Sequence, residues 1–494
     1  MATARFANPN TESAKGAALA SFDRFLAHHQ VARANVFDLI AQDATGQVLG
    51  RTLDQYALYL VAAAGARGRR LEQSTVTQYF RTVKAWLLDQ YPLQEELIRR
   101  RMKKTSASLK TRFKVSSQQC KQAPSCSKTD LRGLVDVIYQ TASSEVEYHD
   151  AALLILMWYL LGRSSDMAFL TKHNITVHSG GVLSLRFGWI KTGVDQGLAL
   201  FGSKDALSCP IHALAILAAT ERVPSDVIFR YLPKPIVDTA AEIDYPEDLL
   251  LSEMLQEHIE REAVSRGTVK GGTIHSYVNR TLRRIVELAA HSNAPFSKTL
   301  TSHSFRRGGA QAANAHSKIS LQWILDRGGW QLSSLNRGFI YIVNTTTEDQ
   351  QVAKVLSGWE PDHVVWQPTL NELDPPSRSQ IAQVRACLFA SERDHAAFAF
   401  KDDVLDLFMA HVIYHYPAVR DRLPGGPYQS AVTRALKTTG YTEDGHLLYN
   451  TRKWRGRRLI RTTSQWWPRR SRRSPRQTAR LSHFLANRWI SFAT

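Results

Sequence analysis

Residues 302–341 read SHSFRRGGAQAANAHSKISLQWILDRGGWQLSSLNRGFIY. His303 and Arg306 stand three apart, so a helix through them shows both on one face. A cation and a hydrogen-bond donor converging on one face suit a phosphate better than an apolar core. Trp330 follows two glycines, and Tyr341 is the one tyrosine between Arg306 and Tyr414. Such a stretch needs partners from elsewhere in the chain before it can be a site.

The surroundings are those of a large, basic protein. At 494 residues the chain calls for several domains. Its formal net charge is +19, and the stretch Thr451–Thr494 alone holds thirteen Lys or Arg and no acid. That balance is compatible with nucleic acid, whose counterions are released when its phosphates are neutralised. A solvated basic arm has the same composition. The residues beyond Pro424, with Trp454, Trp466, Trp467 and Trp489 among arginines, show no helical or strand period. They are expected to be poorly ordered over 424–494. Four cysteines make neither a disulfide framework nor a zinc site: Cys120 and Cys126 have no His or further Cys nearby in sequence. The first residues lack the apolar core of a signal peptide. The longest apolar run, Ala151–Leu161, is too short to span a bilayer, and no membrane is expected as a partner.

The expected fold class is mainly α with a small antiparallel sheet. Residues 1–15 are polar and read as loose. Residues 16–104 read as a small helical domain. Val76, Tyr79, Phe80, Val83 and Leu87 form one apolar stripe, with Ser74 or Thr75 as its cap and Pro92 beyond its end. Lys103–Lys128 is rich in Lys, Ser, Thr and Gln and holds no acid, so 105–128 reads as a basic linker. From 129 to 359 the pattern is mixed. Helices are expected over Leu131–Thr141 and Tyr148–Leu161, the second ended by Gly162. Strands follow at Asn174–Val177, Val182–Lys191 and Leu198–Phe201, joined by HSGG and TGVDQG turns. Helices return at Ile211–Thr220, Glu253–Ser265 and Thr273–Ala290. Residues 360–423 read as a linker and a helical extension.

Two upstream residues can complete the site. Arg163 follows the buried helix in LLGRSSDMAFL, where a rigidly placed guanidinium suits bidentate contact with a phosphate. Asp166 can brace it; the two can equally form a plain surface ion pair. Lys191, in FGWIKTG at the end of a strand, can protonate a leaving oxygen or be an ordinary hairpin lysine. Taken singly, His303, Trp330 and Tyr341 also have packing roles open to them.

The joint order Arg163, Lys191, His303-x-x-Arg306, Trp330, Tyr341 resembles the tyrosine recombinases, the phage-integrase-like enzymes that break and rejoin DNA. Segment CPIHALAIL at Cys209 is similar to the family's helix after the hairpin. The stretches RGGW, SLNRGFIYIVNT and KVLSGW look closest to recombinases of Crypton mobile elements of eukaryotes. Trp330 stands where histidine is commoner in the family. The resemblance covers about Ala17–Trp359. It implies a helical core-binding domain at 16–104 and a catalytic domain at 129–359 that clamp double-stranded DNA. It implies Tyr341 as nucleophile, Arg163 and Arg306 on the scissile phosphate, His303 in proton transfer, Lys191 as general acid, Trp330 in positioning and Asp166 in support. No metal, nucleotide or other cofactor is implied. A nuclear location and a homotetramer on two DNA sites, with Ile342–Trp359 as a candidate exchanged segment, follow from the same likeness. A type IB topoisomerase uses a similar residue set, and a domesticated protein of this fold could bind DNA without cutting it.

Overall fold

The computed structural model describes residues 9–64, 68, 70–115, 123–189, 194–233, 274–291, 296–330, 346–393, 399–420, 422, 425–448 and 450. These fall into two compact units that meet in sequence between Gln122 and Ala123. Lys191, Tyr341, the segment Glu253–Ser265 and the basic stretch Thr451–Thr494 lie outside the described residues. Among the described residues no helix is long and apolar enough to cross a membrane.

The first unit is helical: α1 (Pro9–His28), α2 (Arg33–Gln42), α3 (Gln47–Ala62), α4 (Gln73–Gln90) and α5 (Glu95–Val115). The stripe in α4 packs as its spacing demands, with Val76, Phe80, Val83 and Leu87 buried against Phe22, Tyr56 and Leu60. Its start differs from expectation. Helix α4 begins at Gln73, and the preceding Glu72 makes no side-chain cap, so neither Ser74 nor Thr75 is the cap. Helix α5 runs through 103–115, the first half of the stretch that composition assigns to a linker. Ile98, Met102 and Leu109 keep one face of it in the core, and Thr105 Oγ1 donates to Asp54 Oδ1 at 2.5 Å. Three well-spaced apolar residues hold a helix that a composition average hides.

The second unit is built around two helices buried on nearly every side. They are α7 (Glu145–Tyr159), after α6 (Lys128–Thr141), and α9 (Pro210–Thr220), after the short α8 (Ser164–Met167). Every residue of α7 from Tyr148 on is buried, as is every residue of α9. A helix apolar all round needs neighbours all round. Helix α11 (Ser302–Asn314) packs on α7, and α16 (Asp402–Arg420) and α17 (Pro427–Thr439) on α9; α10 (Ile274–Leu288), α12 (Leu321–Arg327), α13 (Thr346–Leu356), α14 (Pro375–Leu388) and α15 (Ala390–Arg393) complete the unit around them. One continuous core joins Leu131 and Leu154 to Val384, Phe408, Tyr428 and Leu447. The boundary expected at residue 359 is therefore not a boundary of the core. Residues 375–448 supply covering helices, and the part of 424–494 up to Asn450 is ordered in α17 and a π-helical turn, Glu443–Leu448. Of the candidate exchanged segment, α13 is described, and its Val352, Ala353 and Leu356 are buried in this same chain.

The sheet has three antiparallel strands in the order β1 (Ile175–His178), β2 (Val182–Trp189), β3 (Val194–Leu200). Trp189 pairs with Val194 and Leu183 with Leu200. The polar run Asp195-Gln196-Gly197, expected in a turn, is strand. Gln196 is buried there, and its Nε2 donates to Asp326 Oδ2 at 3.1 Å.

Candidate active site

The site is assembled at the C-terminal end of α7, against the start of α11. Helix α7 stops at Tyr159, and the chain reverses at Leu161, whose φ of +51° is left-handed. A leucine in that region is strained and persists only where its surroundings hold it. Gly162, expected to end the helix, lies beyond its last residue, and its role is space. A Cβ there would lie 2.1 Å from Met167 Cε and 3.1 Å from the Phe187 ring. The reversal aims the Leu161 carbonyl at Arg306 Nη1, which donates to it at 2.8 Å. Arg306 Nη2 donates to the Gly328 carbonyl at 2.5 Å.

The Arg-Arg-Gly-Gly run of 306–309 explains how α11 comes so close. A Cβ on Gly308 would stand 1.8 Å from the Cys126 carbonyl, and one on Gly309 would stand 2.2 Å from the Trp158 carbonyl. Only glycine admits that approach. The Cys126 carbonyl is itself held by Trp158 Nε1 at 3.0 Å, and Cys126 N–H donates to the Ser304 carbonyl at 2.9 Å. Arg307 is anchored by Nη1 to the Ala123 carbonyl at 2.6 Å.

Trp330 completes one wall. Its ring centroid lies 4.1 Å from Arg306 Cζ, a cation–π stack. A Cβ on Gly328 would fall 1.9 Å from the indole, and Gly329 has φ +58°. Both glycines of RGGW are thus needed to fold Trp330 back over Arg306. Arg327, the first residue of that motif, is fully buried. It donates through Nε to the Tyr159 carbonyl at 3.1 Å and through Nη2 to the Ala199 carbonyl at 2.9 Å, and it pairs through Nη1 with Asp349. Asp349 accepts in turn from Ala199 N–H at 2.5 Å. The ion pair therefore pins the chain immediately before Trp330 to α13, which begins at Thr346.

Arg163 is the residue before α8, with its side chain a quarter exposed. Asp166, buried, accepts from the Arg163 backbone N–H at 3.1 Å and lies 3.6 Å from Arg163 Nη1. His303 stands in the first turn of α11, with its side chain open to solvent. Desolvation, then the charges of His275, Arg306, Arg307 and Arg163, hold its imidazole below the ordinary range. Burial first and Arg163 second pull Arg306 down to about 10, with Asp166 opposing. Arg306 so remains charged near neutral pH. Its two carbonyl acceptors orient that charge without neutralising it, and a site so charged and so desolvated favours an anion.

Of the predicted residues, Arg163, Asp166, His303, Arg306 and Trp330 come together. Lys191 and Tyr341 lie outside the described residues. His275 was not anticipated. Its ring centroid is 5.2 Å from that of His303; Ser302 Oγ lies 2.5 Å from its Nδ1 and Asn279 Nδ2 2.9 Å from its Nε2. Asn279 Oδ1 also accepts from Ser302 N–H at 3.0 Å. The i, i+4 spacing of His275 and Asn279 is visible in IHSYVNR, yet nothing in that heptad points to α11.

No family model and no curated protein matches the chain. Among solved structures, it is similar to "FLP Recombinase-Holliday Junction Complex I" at 13% identity and TM-score 0.37, and to "Flpe-Holliday Junction Complex" at 12% and 0.35. Each match covers 79% of this chain and 99% of the other. At such values, the side chains of the site carry the functional reading.

Proposed function

We propose that this protein breaks and rejoins double-stranded DNA through a covalent phosphotyrosyl intermediate, as a tyrosine recombinase. The observation that carries the reading is the meeting of Arg163, Arg306 and His303, with Asp166 buried behind Arg163. Two guanidinium groups suit the extra negative charge that a phosphodiester gains on attack. The sequence order of these residues with Lys191 and Tyr341 supports the same assignment.

The step runs as follows. The Tyr341 oxygen attacks the scissile phosphorus, and the bond from phosphorus to the 5′ oxygen breaks. His303, neutral at physiological pH, takes the phenolic proton. Lys191 gives a proton to the departing 5′ oxygen. The phosphotyrosyl link conserves the bond energy, so a second 5′ hydroxyl can reverse the step without a nucleotide. Trp330 acts through its ring, holding Arg306 between the indole and two carbonyls. The finer reading is a recombinase of the Crypton type, working in the nucleus as a tetramer on two DNA sites.

The test is capture of protein on duplex DNA under denaturing detergent, using a library of nicked random-sequence duplexes. Wild-type protein is expected to retain DNA, and Arg306→Ala to retain none while still folding. DNA binding without a denaturant-resistant adduct would establish the non-cleaving alternative. Relaxation of any supercoiled plasmid without site preference would favour a topoisomerase.

A further inference from the structure

Apart from the residues of the candidate active site, the second unit gathers a cysteine and three histidines in its core. Cys209 ends the loop before α9, and His212 lies in the first turn of that helix. His411 and His415 stand four apart on one face of α16. All four are at most 2% exposed. One ligand atom from each of Cys209, His411 and His415 falls within 4.8 Å of the others. Cys209 Sγ is 3.7 Å from His411 Nδ1. Ligands around a tetrahedral zinc ion stand about 3.3–3.8 Å apart, given its bond lengths to sulfur and nitrogen.

Several details suit a ligand set better than simple packing. His411 Nε2 is buried without a hydrogen-bond partner. His212 Nδ1 lies 3.3 Å from the Ala206 carbonyl, which can only accept, so the proton sits on Nδ1 and the lone pair on Nε2. That Nε2 is also buried without a partner. The rings of His212 and His415 are 4.7 Å apart between centroids. Cys209 Sγ accepts from His212 N–H at 3.5 Å, at the N-terminus of the eleven-residue α9. Gly202 makes room beside the cluster, since a Cβ there would lie 2.2 Å from His411 Cε1.

We propose that Cys209, His411 and His415 bind one Zn2+ ion with a structural role, His212 standing beside His415. His-x-x-x-His is a pair spacing that zinc sites use, and a thiolate with imidazoles is a donor set that zinc prefers. Binding releases the thiol proton and forms the sulfur–zinc bond. The ion ties α9 to a covering helix 202 residues on in the chain. It clips the C-terminal helices onto the core and leaves the phosphate site's residues untouched.

Full-length protein, purified without chelator, is to be assayed for metal by mass spectrometry, then stripped and titrated with Co2+. The expected results are one zinc per chain, tetrahedral cobalt absorption with a thiolate charge-transfer band, and a melting temperature raised by Zn2+. Cys209→Ser should remove the charge-transfer band, while joint replacement of Cys120, Cys126 and Cys387 by serine should keep it. Should Cys209→Ser fail to fold, retention of the band in the triple variant supports the site alone. Wild-type protein that is metal-free, gives no tetrahedral cobalt spectrum and melts identically with and without Zn2+ overturns the proposal. So does a band that the triple variant loses, or bound zinc that survives both Cys209→Ser and His411→Gln.

Discussion

The Leu161 carbonyl and the Arg306 guanidinium meet at 2.8 Å, and the leucine adopts a left-handed backbone to make the contact. Strain at the end of a core helix is thus spent on aiming one charged group. With Gly328 on the second nitrogen and Trp330 across the face, Arg306 has one orientation. Arg306→Lys keeps a charge but loses the planar fork, and DNA-adduct formation is expected to fall by ~100-fold or more. Rapid-quench measurement of adduct yield against time reads this directly.

Trp330 separates stacking from hydrogen bonding. A cation–π contact contributes about 0.5–2 kcal/mol, so Trp330→Ala should slow cleavage by ~2- to 30-fold. Trp330→Phe keeps an aromatic face and should recover most of that loss. A phenylalanine variant as slow as the alanine one would show that the indole N–H is what matters.

The glycines of α11 are a packing requirement. Gly309→Ala drives a methyl group against the Trp158 carbonyl, and Gly308→Ala drives one against the Cys126 carbonyl. Each is expected to destabilise the second unit by at least ~1–3 kcal/mol in chemical denaturation. Unchanged stability in both would mean that α11 does not pack this closely.

Asp349 neutralises a guanidinium with no solvent exposure. Asp349→Ala leaves Arg327 charged in the core, for a loss of ~3–5 kcal/mol. Asp349→Asn can still accept from Arg327 and should cost less. Urea denaturation of the three proteins gives the order; equal stability of alanine variant and wild type would contradict the pairing.

His303, as the proposed base, is expected to set the acid limb of cleavage. Desolvation and neighbouring positive charges hold its imidazole below the ordinary histidine range, so the neutral base survives to lower pH than a solvated histidine would. Cleavage under single-turnover conditions should lose its rate only below pH 6.5. His275→Asn removes one of those charges and should move the limb upward. A limb unmoved by that change would dissociate His275 from the site.

Much of this was legible in sequence, and the failures have physical causes. His303 and Arg306 share a helix face because local spacing fixes it. Arg163 with Asp166 was equally local. The roles of Gly308, Gly309 and Leu161 were not, because close approach is a property of two segments. The covering helices after residue 360 were missed because their necessity lies in α7 and α9, which are apolar on every side. The nearness of Cys209 to His411 and His415 was not legible because they lie two hundred residues apart in the chain. His275 faces His303 only once α10 is set beside α11.

The most direct test of the central claim is the identity of the tyrosine joined to DNA. Adduct formed on nicked duplex is digested with nuclease and protease, and the nucleotide-bearing peptide is sequenced by tandem mass spectrometry. The modification is expected on Tyr341, and is expected to disappear, with DNA binding retained, in Tyr341→Phe. A nucleotide on any other residue, or an undiminished adduct in Tyr341→Phe, would contradict it.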